Sequence, residues 1–240
     1  GPAVERALKM QSEGAAIIDI GGESTRPGAP AVDLQQELDR VLPVIRALAG
    51  ELDIPLSIDT SKPRVMQAAI AAGAGMINDV NGLRAPGAIE AAKKANVPVC
   101  VMHMQGQPRT MQQAPVYEDV VSEVRQYLSD RIAACEAAGI PRSRILVDPG
   151  FGFGKTLEHN LALLAGLNSF QELGVPLLVG LSRKSTIGQI TGKPVDDRLA
   201  GSLAAAVMAV ERGASIVRVH DVAATVDALE FTLAVIGEKG

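Results

Sequence analysis

Two periodicities alternate along this chain without interruption, and nothing else in it restricts the fold so strongly. Short β-branched or apolar runs recur at residues 15–22, 55–60, 75–80, 98–104, 144–150, 176–182 and 215–222. Helical patterns fill the intervals at roughly 3–13, 33–51, 63–72, 86–95, 117–138, 157–173, 195–212 and 223–236. A strand that returns through a helix to the next strand can only build a parallel sheet, because parallel neighbours cannot be joined by a tight turn. Runs such as IPLSID and PLLVGL are apolar at consecutive positions, so these strands are covered on both faces. Gly14, Gly73, Gly139 and Gly213 each fall between a helical pattern and the next strand, where a helix C-cap belongs.

So regular a βα repeat, with no linker or shift of composition, favours one α/β domain over residues 1–240, a closed (β/α)8 TIM barrel, over a doubly wound sheet. The count is uneven: eight helical patterns accompany seven strands, and the series opens on a helix. The first strand is therefore expected to be missing from this sequence and to lie upstream of Gly1 in a longer polypeptide. Seven strands alone would leave the runs at 15–22 and 215–222 with open edges.

Composition narrows the function. With 47% hydrophobic and 21% charged residues, the chain buries a core and is not disordered. A net charge of −4 without a basic run, and 2% aromatic residues without Trp, exclude a broad nucleic-acid or anionic-lipid surface and the stacking platforms of single-strand binders. Any anion site must be local. Cys100 and Cys135 lack CxxC spacing and read as buried, reduced thiols. No apolar stretch reaches bilayer length and no signal-peptide pattern is present, so no membrane partner and a cytoplasmic location are expected.

In a barrel of this kind the chemistry gathers where strands end. Here the strand ends read Asp19 then Gly21–Pro27, Asp59–Lys62, Asn78–Asp79, Met102–Met104, Asp148–Lys155, Ser182–Ser185 and Arg218–Asp221. One such residue is explained by a cap; seven strands ending this way place ionisable groups at the mouth of an apolar barrel, where they need partners or a ligand. The segment PGFGFGKT nearly spells a phosphate-binding loop, but Pro149 stands where GxxxxGK[ST] needs Gly, which removes a backbone donor. Two of the four Phe residues, Phe151 and Phe153, sit in this polar loop. Either ring could anchor the loop to the rim; a flat heteroaromatic ligand would also explain them, more so Phe153. After the last two strands come SRKS and RVHD, where such barrels often bind phosphate. Arg218 and His220 are two apart on a strand and share a face, as a paired anion clamp would. His159, on a helix, and His103 read as structural.

Taken together, IIDIGGESTRPG, SIDTSKP, INDV, CVMHMQG, ILVDPGFGFGK, LVGLSRKS and IVRVHDV resemble the dihydropteroate synthases in order and spacing, from Gly14 to about Val222. The resemblance implies a transferase of folate biosynthesis that condenses 6-hydroxymethyl-7,8-dihydropterin pyrophosphate with p-aminobenzoate. The products are 7,8-dihydropteroate and pyrophosphate, and sulfonamides compete for the site. It places pterin binding on Asp59, Asn78, Met102, Asp148, Phe153, Gly180 and Lys184, with Asp59 and Lys184 as catalytic groups. A carboxylate such as Asp148 suits the pterin's two-donor edge, the 2-amino group beside a ring N–H. Arg218 and His220 correspond to pyrophosphate ligands, and Thr25, Arg26, Pro27 and Ser185 to the p-aminobenzoate end; residues 22–30 could be a plain surface connection, but their length beyond a minimal βα turn fits a mobile lid. A homodimer is implied, with the late helices as the interface. Mg²⁺ is implied too, but the family's metal-binding Asn belongs to the absent strand, so no metal ligand is assigned. Pterin-binding methyltransferase domains share the Asp, Asn, Asp pattern, and a non-catalytic pterin binder is the alternative outside the enzymes; the SRKS and RVHD segments favour the synthase.

Overall fold

The computed structural model describes residues 1–26, 28–106 and 110–237. Its elements are α1 (Pro2–Ser12), β1 (Ile18–Gly21), α2 (Leu34–Leu48), β2 (Leu56–Asp59), α3 (Pro63–Ala71), β3 (Met76–Asp79), α4 (Ala88–Ala95) and β4 (Val99–Met102). There follow α5 (Val120–Ala137), β5 (Ile145–Asp148), α6 (Leu157–Ala165), β6 (Leu178–Val179), α7 (Ser185–Thr191), α8 (Leu199–Glu211), β7 (Ile216–Val217) and α9 (Val222–Gly237). Every strand pair is parallel. β1 to β5 lie side by side in chain order, β6 pairs with β7, and a bridge from Val147 to Leu177 joins the two groups. The expected βα architecture is thus observed.

The glycines that end the helices do so for the reason expected: Gly14, Gly73, Gly139 and Gly213 have φ of +95°, +117°, +95° and +95°, a backbone region that strains residues with a Cβ. Two helices depart from the expected spans. The segment expected as one helix over 157–173 divides into α6 and a 3-10 stretch, Leu167–Leu173, at Gly166. A Cβ at Gly166 would lie 3.1 Å from Val121 of α5, so the close approach selects glycine, the weakest helix former after proline. The helix expected over 195–212 opens as a 3-10 turn, Val195–Asp197, before α8. The short α7 was not expected: its STIGQIT sequence is too brief to show a period.

Alternation along the strands builds the site. Ile58, Ile77, Val101, Ile145, Val147 and Val179 turn outward into the main core beneath the helices. Met76, Cys100, Leu146 and Leu178, with Ile17 and Ile216 against them, form a separate apolar cluster drawn from six strand segments, which is the barrel interior. Two residues further along, on the same inward side, come Asp19, Asn78, Met102, Asp148, Gly180 and Arg218; on β2, Asp59 follows Ser57 in the same phase. Between β1 and β7 runs a cavity of about 510 Å³ bordered by Ile17, Asp19, Ile216 and Arg218, with Met10 of α1 and Val226 of α9 behind it. The described residues form seven strands, and an eighth strand of a closed barrel would lie along this seam.

Candidate active site

At the mouth of the barrel, three strand ends meet through charge. Asp19 Oδ2 accepts hydrogen bonds from Arg218 Nε at 2.7 Å and Asn78 Nδ2 at 3.2 Å, while Arg218 Nη2 reaches Asp59 Oδ2 at 3.3 Å. Asp19 Oδ1 is buried without a hydrogen-bond partner. Burial, and next the Asp19 charge, push the Asp59 carboxyl up to about 8 against the opposing pull of Arg218. Two acids this close share the one Arg218 guanidinium.

Across the barrel, Asp148 Oδ1 accepts from the Gly150 backbone N–H at 2.7 Å. Burial raises its pKa, and Lys184 is the first group to oppose the rise. Lys184 stands just before α7; its ammonium donates to the Phe151 carbonyl and lies 4.9 Å from the centre of the Phe153 ring. Burial pulls it down to about 8, and the Asp148 charge holds it up. The two Phe rings now separate. Phe151 is fully buried in the main core and anchors the loop, whereas Phe153 packs over Val80, Met102, Met104 and Met111 at the mouth. Gly180 leaves open the space where a Cβ would stand 3.7 Å from Arg218 and 3.9 Å from the Lys184 ammonium.

β7 ends at Val217, and beyond it Arg218 and His220 take different partners while both border the cavity between β1 and β7. Arg218 is drawn to the carboxylates, while the His220 backbone N–H and ring Nδ1 both meet Ser182 Oγ, at 3.2 and 3.0 Å. Burial, then Arg183 and Arg218, lower the His220 pKa. Arg183 joins the two anion-type loops: its guanidinium makes a two-pronged pair with Asp221 at 2.9 and 2.6 Å. Its backbone, at φ +58°, is fixed by Ser202 Oγ and Arg198 Nη1, each at 3.0 Å.

A second cavity, of about 470 Å³, adjoins Asp59 and is lined also by Thr25, Ser61 and Arg84. Arg26 and Ser185 are exposed and do not line it, and Pro27 lies outside the described residues. The β1–α2 loop is tied down through Glu23, which accepts from Val32 N and from Lys62. Lys62 in turn donates to the buried Glu37, which also takes the Thr60 hydroxyl.

Several residues with structural work at the site received no role from the sequence. Asp19 was visible as a polar strand end, and its phase two residues after Ile17 was the signal that it faces Asp59. Asp79, buried under the loop it caps through Asn81 N and Leu83 N, showed the same strand-end signal. The Lys62 and Arg183 pairings span 25 to 39 residues, beyond the reach of any local pattern. His159 is structural as expected, closing a capping box with Thr156. His103 is buried against Lys155 Nζ at 2.9 Å.

Burial, then Lys155 and Arg84, depress the His103 pKa to about 3. The unfolded chain therefore binds more protons here between 6.5 and about 3, so this contribution to stability is full above pH 6.5 and is lost as pH falls through about 3. We expect His103→Gln to flatten the fall in unfolding free energy over that window, as read by urea titrations at stepped pH; an unchanged slope would show that His103 is not the group being protonated.

A sequence model of the family described as "Pterin binding enzyme" matches residues 2–220. The dihydropteroate synthase of Escherichia coli (strain K12) is 52% identical over 237 residues, covering 99% of this chain and 84% of that protein. Among solved structures, Yersinia pestis dihydropteroate synthase with a sulfonamide drug complex superposes with a TM-score of 0.96 at 51% identity, covering 98% of this chain and 85% of that one. Xanthomonas albilineans dihydropteroate synthase in complex with 7,8-dihydropteroate gives 0.90 at 52%, covering 98% and 84%. An interior ring of Asp, Asn and Asp flanked by a lysine and an arginine, on a parallel barrel of this likeness, places the chain among the pterin-binding enzymes of the dihydropteroate synthase family.

Proposed function

We propose that this chain joins 6-hydroxymethyl-7,8-dihydropterin pyrophosphate to p-aminobenzoate, forming 7,8-dihydropteroate and releasing pyrophosphate. The observation that carries the reading is the inward phase shared by Asp59, Asn78, Asp148 and Arg218, one step above the apolar interior, with Lys184 across from them. Asp148 accepts from the pterin's 2-amino and ring N–H groups, Asn78 reads the ring edge, and Lys184 donates to the ring carbonyl and nitrogen. Met102 and Phe153 pack on the flat ring, and Gly180 leaves it room. Arg218 and His220 face the pyrophosphate, and Thr25, with Arg26, Pro27 and Ser185, receives p-aminobenzoate.

The C–O bond to pyrophosphate breaks and the leaving group takes the electron pair; the arylamine nitrogen then forms the C–N bond and gives up a proton. The nearby Asp59 stabilises positive charge as it grows on the pterin. The remainder of the barrier is lowered by holding two substrates in line.

Among the described residues no three His, Cys, Asp or Glu gather as a metal site. Mg²⁺ is read as arriving with the pyrophosphate, since it is usually held by one or two carboxylates plus substrate phosphates. The buried, unpaired Asp19 Oδ1 fits as one such oxygen. When bound, the ion would offset charge on the leaving group.

No described helix is long and apolar enough to cross a membrane, and we read the enzyme as cytoplasmic. Sulfonamides are read as competitors of p-aminobenzoate. We read the enzyme as a homodimer through α8 and α9: Ala205, Ala206 and Ala209 pack internally, but Met208, Phe231, Leu233 and Val235 are exposed, Phe231 by 75%. Phe231→Glu is expected to shift sedimentation from dimer to monomer; a dimer that persists would move the interface elsewhere. The reaction itself is tested by pyrophosphate release with both substrates present. Release that depends on each of them is expected, and its absence would overturn the assignment.

A further inference from the structure

The loop after β5, residues 149–155, carries glycines at φ +69°, +79° and +62° (Gly150, Gly152, Gly154), a segment with high conformational entropy to lose. Yet each of its carbonyls from Gly150 to Lys155 is taken. Phe151 O accepts from Lys184, Gly152 O from Gln112 Nε2 at 2.6 Å, Gly154 O from Tyr117 Oη at 2.8 Å, and Lys155 O from Asn160 Nδ2 at 3.5 Å. The other two, Gly150 O and Phe153 O, both accept from Lys155 Nζ, at 2.9 and 3.0 Å. Its third bond, at 2.9 Å, goes to His103 Nδ1 beyond the end of β4. Lysine is almost never fully buried unless paired, and this one is 3% exposed. Burial draws the Lys155 ammonium down to about 7 while the Asp148 charge holds it up, and its protonated form has three protons for the three partners from two strand ends that surround it.

We propose that Lys155 is a positioning residue: anchored on His103, its ammonium fixes the loop that presents Phe153 and the Lys184-binding carbonyl of Phe151 to the pterin. The proposal rests on the pterin-binding reading and deepens it. His103, held to about 3 by burial and then by Lys155 itself, meets the Lys155 side chain through ring Nδ1. The loop seats tightly where Lys155 pulls it in: a Cβ at Gly150 would lie 1.9 Å from the His103 carbonyl oxygen, and one at Gly154 2.5 Å from that of Gln105. Without the ammonium, Gly150 O keeps only the Phe153 N–H, and Phe153 O loses its donor. The Phe153 ring and the hold on Lys184 then share a loosened loop. Lys155 works through these groups without touching the reacting atoms.

The chain has no Trp, so Phe153→Trp creates a single fluorescent reporter within the loop. In that background Lys155→Met is expected to lower the reporter's anisotropy. In the Phe153 protein, Lys155→Met is expected to raise KM for the pterin substrate at least about tenfold while kcat stays within about threefold, the scale of a lost hydrogen bond to a charged group. A merely structural lysine would lower Tm without this split. Lys155→Gln, which keeps one donor, should fall between the two. Unchanged anisotropy and KM in a folded Lys155→Met protein would overturn the proposal, as would failure of both variants to fold. An unsubstituted chain that binds no pterin would overturn the functional reading instead, and the anisotropy comparison would still decide what Lys155 does to the loop.

Discussion

Asp148→Asn is expected to leave the fold intact and to weaken pterin binding by at least about 2 kcal/mol, roughly thirtyfold, the cost of leaving a buried polar group unpaired. The structure sharpens this expectation by fixing which way the new amide points. Asp148 Oδ1 is held by the Gly150 N–H at 2.7 Å, and an asparagine oxygen can keep that bond. Its NH₂ must then take the position of Oδ2, which sets a donor against the donor edge of the pterin. The neutral side chain also removes the charge that supports the nearby Lys184 ammonium, whose pKa should fall further below about 8, so that donor weakens as well. Calorimetric titration with a pterin measures the loss, and thermal unfolding shows whether the fold survives. Undiminished affinity would remove Asp148 from the pterin site.

How much of this could be read beforehand follows from period two. Strands of four residues or fewer still carry a phase, and the phase that puts Met76, Cys100 and Leu146 inside puts Asn78, Met102 and Asp148 at the mouth. Those residues were therefore legible from the alternation and the motifs together. The phase carried to Arg218, which meets Asp19 and Asp59, but not on to His220, which meets Ser182, since β7 stops at Val217 and two-residue periodicity holds only while the chain stays extended. The division of 157–173 was equally hidden, because the apolar pattern of α6 runs on through the 3-10 stretch and only the close contact between Gly166 and Val121 separates them. Long-range supports, such as Lys155 on His103 or Arg183 on Asp221, join side chains 52 and 38 residues apart. No local periodicity encodes them; they follow from the side-by-side pairing of β4 with β5 and of β6 with β7.

Arg218→Met should divide the two halves of the pterin substrate. The Arg218 side chain is 48% exposed while its guanidinium is joined to both Asp19 and Asp59, so it meets the acids on one side and open space on the other. If that open side meets the leaving pyrophosphate, its loss should lower kcat/KM for the pyrophosphate substrate by roughly 10²–10³, the range for removing one donor aimed at developing charge. Free pterin should lose less than about threefold, because Asp148 and Lys184 are untouched and a change of a few tenths of a kcal/mol is typical away from the contact. The acids left behind report on the same substitution. Arg218 opposes the burial that already raises Asp59 to about 8, so without it the carboxyl titrates higher still. A raised carboxyl contributes stability that is full below its unfolded value of 3.8 and is lost as pH rises through the folded value, so that loss should move upward from about pH 8 in the variant. Urea titrations across alkaline pH measure this, and calorimetry with pyrophosphate and with pterin measures the division between ligands. Equal losses for both ligands would make Arg218 a wall of the pterin pocket and leave the pyrophosphate to other groups.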